Sequence, residues 1–138
     1  MTNYDASNVK KIKKGWSLIT ESAAEQETIN LQGFLPENMK GVNIVANSTY
    51  SADYNKITSS FFNDTITAKN GKYDIELLGY GTKKVTTGNF ENNFTLGNHG
   101  KSTINAGNEK DTYIIGNGNN TIVDKGGLQN SYTIRWEK

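Results

Sequence analysis

The residues able to do chemistry in this chain are few, and most of them stand alone. His99 is its one histidine and there is no cysteine, so tetrahedral zinc and the paired histidines of a metalloprotease helix lack their ligands. The same histidine is the one base open to a Ser-His-Asp arrangement, and its place among turn residues reads as turn decoration rather than catalysis. Asp53, Asp64, Asp74, Glu76 and Glu91 are scattered, and spacing alone pairs no two of them for acid–base work. Gly97-Asn-His-Gly-Lys-Ser102 looks like a phosphate loop but lacks the G-x-x-x-x-G-K-[ST] spacing. Tyr50, Tyr54, Tyr73, Tyr80, Trp16 and Trp136 suffice for a stacking platform for sugars or bases, although edge and core packing is the commoner use of such rings. What does recur is side-chain oxygen, with Ser102, Asp111 and Asn120 nine residues apart.

That interval belongs to a repeat. Asn98-His-Gly-Lys-Ser-Thr-Ile-Asn-Ala106 is followed by Gly107-Asn-Glu-Lys-Asp-Thr-Tyr-Ile-Ile115 and by Gly116-Asn-Gly-Asn-Asn-Thr-Ile-Val-Asp124. Thr103, Thr112 and Thr121 each precede a large apolar residue, Ile104, Tyr113 and Ile122. A unit of nine residues is too small to bury its own apolar face, so units must stack. Each reads as a glycine-rich turn of six residues followed by a three-residue strand, with the middle residue inward and its neighbours outward. Stacking then aligns Ile104, Tyr113 and Ile122 into interior seams.

Elsewhere the signals also favour strands. Glu27-Thr-Ile-Asn-Leu31, Val42-Asn-Ile-Val45, Asp64-Thr-Ile-Thr67 and Tyr73-Asp-Ile-Glu-Leu77 are short, rich in β-branched residues and bounded by Gly or Asn. Gly33-Phe-Leu-Pro36 marks a turn, and Asn70-Gly71 between two such runs predicts an antiparallel hairpin over residues 61–78, with Phe61-Phe62 as its bulk. Thr28-Ile29, Thr65-Ile66 and Thr133-Ile134 echo the repeat without its spacing, as decayed repeats or as ordinary strands. Asn92-Asn-Phe-Thr-Leu96 and the stretch from Gly126 to Ile134 read as repeats slipped by one residue, and Arg135-Trp-Glu-Lys138 as a polar cap to the stack. In residues 1–20, Val9, Ile12 and Trp16 fit one face of a helix, while Trp16-Ser-Leu-Ile-Thr20 fits an early strand equally well. The expected division is a β-rich flank over residues 1–87 and a repeat region with its cap over residues 88–138, in one continuous domain.

Composition sets the outer limits. At 138 residues with 34% hydrophobic content, one domain without a large conventional core is expected. Fifteen basic against 14 acidic residues give a net charge of +1, which supplies no general attraction to nucleic acid or to anionic membrane. The Lys10, Lys11, Lys13, Lys14 cluster reads as solvated decoration. No run of apolar residues is long enough for a transmembrane helix, and the N-terminus carries no apolar core of the signal-peptide kind. The absence of cysteine fits a chain that passes from a reducing to an oxidising compartment.

The repeat resembles the RTX nonapeptide family, whose unit G-G-x-G-x-D-x-U-x binds calcium in a parallel β-roll. Gly107, Asp111 and Tyr113 match the second glycine, the aspartate and the apolar position of one unit; Gly116, Gly118 and Ile122 match the next, with Asn120 at the aspartate position. In the first unit Gly100 and Ile104 fit, and Ser102 replaces the aspartate. The resemblance implies an all-β parallel β-roll or short β-solenoid in the C-terminal half, two units to a turn. It implies calcium held by Asp111, Asn120 and Asp124 with backbone oxygens of Gly107, Asn108, Gly116 and Gly118. Asp111 would then face a position near Asn93 on one side and Gln129 or Asn130 on the other, and Ser102 would face Asn120. Calcium takes six to eight oxygens and draws its affinity from carboxylates, so the Ser and Asn substitutions and the near-neutral charge weaken the ion sites. The function implied is a non-catalytic repeat domain of a secreted or cell-surface bacterial toxin, adhesin or exoenzyme. Its alternatives are a glycan-binding accessory module of a carbohydrate-active enzyme, or a purely structural calcium-free solenoid of a surface protein; the partners implied are calcium and a glycan or host surface.

Overall fold

The computed structural model describes residues 1–13, 15–34, 40–97, 99–125 and 131–134. Among them the strands form two seven-stranded sheets facing each other. The first holds β1 (Thr2–Tyr4), β4 (Glu27–Asn30), β6 (Asn55–Thr58), β8 (Tyr73–Glu76), β10 (Asn92–Thr95), β12 (Asp111–Ile115) and β14 (Ser131–Ile134), in that order. The second holds β2 (Lys10–Ile12), β3 (Gly15–Ile19), β5 (Val42–Val45), β7 (Thr65–Ala68), β9 (Thr82–Thr87), β11 (Lys101–Ala106) and β13 (Asn119–Asp124). From β3 onward the chain alternates between the sheets, and each strand pairs in parallel with the strand one turn away. This is a β-solenoid, as the repeat predicts.

Alternation of side chains explains why the sequence winds this way. In the second sheet Leu18, Ile44, Ile66, Val85, Ile104 and Ile122 stand opposite one another strand by strand and point inward. In the first sheet the matching seam is Ile29, Ile57, Ile75, Phe94, Tyr113 and Tyr132. Its last three rings stack at 5.0 Å between successive centroids, within about 10° of parallel. These seams supply most of the dry interior, where each aliphatic side chain contributes about 1.5–3 kcal/mol through burial.

The roll is not confined to the C-terminal half. Strands from residues 1–87 lie in the same two sheets, with Ile29 and Ile66 of the echoed Thr-Ile pairs in the seams. What differs is turn length: Thr28 pairs with Lys56, 28 positions on, whereas Lys101 pairs with Asn119, 18 positions on. Strands are also longer and turns shorter than the nine-residue unit suggests. β11, β12 and β13 have six, five and six residues, joined by residues 107–110 and 116–118.

Two expectations are corrected. The described residues contain no α-helix; residues 6–8 form one 3-10 turn, capped by Asp5, whose carboxylate accepts the Ser7 N–H. Val9, Ile12 and Trp16 are not on one helix face, because Gly15 at φ 128° reverses the chain and lays β2 antiparallel on β3. The exposed Lys10 and Lys11 of β2, with Lys13 beside them, put charge on the outer strand of the sheet, where charge discourages pairing with other chains. Second, residues 61–78 form no hairpin. β7 and β8 belong to opposite sheets, and Asn70-Gly71 turns the corner between them because Ile66 and Ile75 must face each other across the interior. Residues 126–130 and 135–138, with the slipped repeat and the cap expected there, lie outside the described residues, as do Lys14 and Pro36. Among the described residues no helix is long and apolar enough to cross a membrane.

The Asn-Gly corner yields a first prediction. Gly71 sits at φ 75°, and a β-carbon there would lie 2.2 Å from the Ser48 carbonyl oxygen. Replacing Gly71 with Ala adds left-handed strain to that collision and should cost more than about 2 kcal/mol. Replacing the exposed Asn70 with Ala should stay within about 0.5 kcal/mol. Urea unfolding of the two variants checks this, and equal midpoints would contradict the corner geometry.

Candidate functional site

The position that carries aspartate in the nonapeptide lies at the start of each strand, and its side chain turns into the solenoid. Asp111 at the start of β12 is fully buried, and its Oδ1 accepts the Asn92 N–H at 3.1 Å. One turn earlier Asn92 Oδ1 accepts the Tyr73 N–H at 2.9 Å, and Asn55 Oδ1 accepts the Glu27 N–H at 2.9 Å. In the second sheet Asp64 Oδ1 accepts the Val42 N–H at 2.9 Å. The reason is common to all four. In these four the strand's first N–H points along the stack toward a place where the next turn is still rounding its corner, so a side-chain oxygen of that turn serves as acceptor.

Asp111 and Asp124 come together at one corner. Asp124 ends β13 beside Ala106, in a seam otherwise made of Ala46, Ala68, Thr87 and Ala106. Its Oδ2 accepts the Tyr113 hydroxyl proton at 2.7 Å, and its charge lies close enough to act on Asp111. Burial first, then the neighbouring Asp124 charge, pushes Asp111 up to about 7, so Asp111 keeps its proton below neutrality. Burial and donation to Asp124 raise the Tyr113 phenol well above its ordinary range.

The remaining expected ligands divide between two corners. Gly107 and Asn108 lie near Asp111; a β-carbon on Gly107 would meet Gly88 O at 2.5 Å, and the Asn108 N–H donates to Asn89 Oδ1 at 2.9 Å. Gly116, Gly118 and Asn120 lie at the opposite corner, where Asn120 Nδ2 donates to the Gly118 carbonyl at 3.1 Å. β13 separates Asn120 from Asp124 by about 13 Å of extended chain. Ser102 stands opposite Asn120 as expected, but Asp111 stands opposite Asn92 rather than Asn93, because that turn has one residue more. Asn130 and Gln129 lie outside the described residues. Among the described residues no three His, Cys, Asp or Glu side chains gather as a metal would require.

The polar centre that the sequence did not suggest is at the opposite corner. Asp64 and Lys83 are neighbours in the same start-of-strand seam as Ser102 and Asn120, and they form an ion pair at 2.8 Å with side chains 0% and 2% exposed. Ser60 Oγ donates to both Asp64 oxygens, at 2.7 and 2.8 Å. Lys83 Nζ also donates to the Ser60 carbonyl at 2.8 Å and to the Phe62 carbonyl. Burial lowers the Lys83 ammonium from its usual range, and the Asp64 charge opposes that shift. A register of 19 residues carried back from Ser102 through Lys83 to Asp64 was the available signal; the nine-residue unit hid it.

Other expected groups find ordinary places. His99 is exposed and stacks on Tyr80 at 4.4 Å, so one face of each ring is spent on the other rather than offered to a sugar. Tyr73 is buried, donating to Glu27 Oε1 at 2.5 Å and accepting the Ser48 N–H at 3.0 Å. Trp16 packs edge-on against Phe34 at 6.2 Å. Asp74 and Glu76 lie with Lys56 along a shallow depression of about 230 Å³, where burial raises the Asp74 carboxyl against the pull of Lys56. Trp136 lies outside the described residues. The chain matches no protein-family model, no curated protein and no solved structure.

The carboxyl pair predicts a pH dependence. Asp111 has an ordinary value of 3.8 and a folded value of about 7, so the folded chain holds the extra proton between them. Stability is therefore fullest below pH 3.8, falls as pH rises toward about 7, and loses nothing more from this group above that. Asp111→Asn keeps the oxygen that accepts the Asn92 N–H and removes the titration. Its melting temperature should fall less than the parent's across this window. Parallel curves for the two proteins, followed by circular dichroism, would refute the raised Asp111 value.

Proposed function

We propose that this chain is a structural, non-catalytic β-solenoid module that holds its turns together by internal hydrogen bonds rather than by metal ions. The observation that carries this reading is the inward placement of the aspartate-position side chains. Asn55, Asn92, Asp111 and Asp64 each spend an oxygen on a backbone N–H of the preceding turn. The part of the repeat that would otherwise recruit a cation is committed to the fold itself. The RTX resemblance adds that such a module belongs to a secreted or cell-surface protein, where a rigid rod of stacked turns spaces or presents other segments. The surface depressions, of about 180 and 230 Å³, are shallow and are lined by side chains of both charges or by turn backbone.

A second reading, the calcium-stabilised roll of a toxin, adhesin or exoenzyme, draws on the adjacency of Asp111 and Asp124. Two carboxylates side by side offer a hard cation its strongest ligands once the Asp111 proton has left. The readings separate in one experiment at pH 8. On the structural reading, thermal unfolding is the same in chelator and in calcium at the order of 1 mM, the weak end of extracellular sites. A shift of roughly 4 °C or more, which is about 1 kcal/mol for a domain this size, accompanied by calorimetric binding that Asp124→Asn abolishes, would replace it with the calcium reading.

A further inference from the structure

The corner that holds Lys83 has the composition of a cation site. Three oxygens from the corner before β7 meet the ammonium, the Ser60 and Phe62 carbonyls and the Asp64 carboxylate, while the Ser60 hydroxyl donates to Asp64 and steadies it. Asp64 is committed on its other side to the Val42 N–H, which fixes its carboxylate in place. The ammonium arrives from the next turn on the Lys83 stem, and its three protons meet the two carbonyls and Asp64 Oδ2. Lys83 and Asp64 are 2% and 0% exposed and Ser60 is buried, so water does not take over the charge.

We propose that the Ser60–Phe62–Asp64 cradle is a monovalent-cation site in which the Lys83 ammonium is the resident cation. Its donor set selects this class. Calcium needs six to eight oxygens, whereas three oxygens bearing one negative charge balance a single positive charge. Potassium and free ammonium match that charge and a similar size. The cradle also explains why a lysine stands at a position occupied by Asp64, Ser102 and Asn120 on neighbouring turns. Here the chain supplies its own cation, tethered across two turns, and locks them as an inserted ion would. The assignment is independent of the structural reading above, because it concerns one cradle and is tested in a variant.

The experiment is chemical rescue. Lys83→Ala removes the tethered cation and leaves a buried carboxylate with two carbonyls, which should lower the melting temperature by about 10 °C. Ammonium chloride at about 0.1 M should return about 4 °C or more relative to choline chloride of equal ionic strength, with potassium chloride acting in the same direction. The parent protein, whose cradle is full, should not distinguish the salts. Nor should Lys83→Met, whose stem still blocks the entry. Equal melting of the Ala variant in ammonium and choline, or equal rescue of the Met variant, would overturn the site. If the Ala variant is unfolded in choline, regain of β-sheet dichroism in ammonium is the supporting result, and no regain in any of the salts overturns it.

Discussion

One backbone problem recurs at four corners of this parallel solenoid. Elsewhere a strand's first N–H finds a carbonyl on the neighbouring turn, as at Asn55, Lys101 and Asn119, but at Glu27, Val42, Tyr73 and Asn92 the neighbour's backbone is already bending away. That N–H faces a dry interior, where an unmet donor costs about 1–3 kcal/mol. Here the shortfall is made good by the first side chain of the next turn, through Asn55 to Glu27, Asn92 to Tyr73, Asp111 to Asn92 and Asp64 to Val42. Each bond joins one turn to the next at the point where the ladder would otherwise fray. The apolar seams between the corners can then remain a plain succession of Ile, Leu, Val and aromatic residues.

This division explains what was legible in the sequence and what was not. Mid-strand seams were readable because burial selects large apolar residues at fixed parity; Ile104, Tyr113 and Ile122 are inward as their spacing requires. The corners were harder because the same residue types serve several purposes. An Asn or Asp before a strand can hold an ion, shape a turn or accept a buried N–H, and only the third use depends on a residue a full turn away. The Asn70-Gly71 pair shows the same ambiguity, since a left-handed glycine suits a hairpin and a solenoid corner alike. What decided between them was whether the flanking strands have a face to bury against each other. Ser60 and Lys83 gave no sign in the nine-residue unit, because Lys83 falls in line with Asp64 only once a 19-residue register is carried back from Ser102.

The two charged corners handle buried charge in opposite ways. At Asp64 a neighbouring turn supplies the Lys83 ammonium, and the two side chains form a buried ion pair. At Asp111 the neighbour is a second carboxyl group, so burial and that charge hold the Asp111 proton up to about pH 7, while the Tyr113 hydroxyl donates to Asp124. Neither carboxylate is where it is because of a surface ligand. Both are inside because a strand-start N–H called for an acceptor. Their charge is a consequence that lysine or a proton then offsets.

Register is the quantity these corners protect. A slip of one residue would turn every inward side chain of a strand outward, and the repeat length alone does not prevent it, since turns run from 28 residues near β4 to 18 near β13. With so variable a period, a strand finds its neighbour by contacts that exist in one alignment only. An Ile opposite an Ile tolerates displacement, because a seam of similar side chains looks much the same two residues on. Asn92 opposite Asp111, or Asp64 beside Lys83, does not. The specificity of the winding therefore lies in its few interior polar residues and its cohesion in its many apolar ones, which is why the same position can change from Asn to Asp to Lys between turns while the fold continues unbroken.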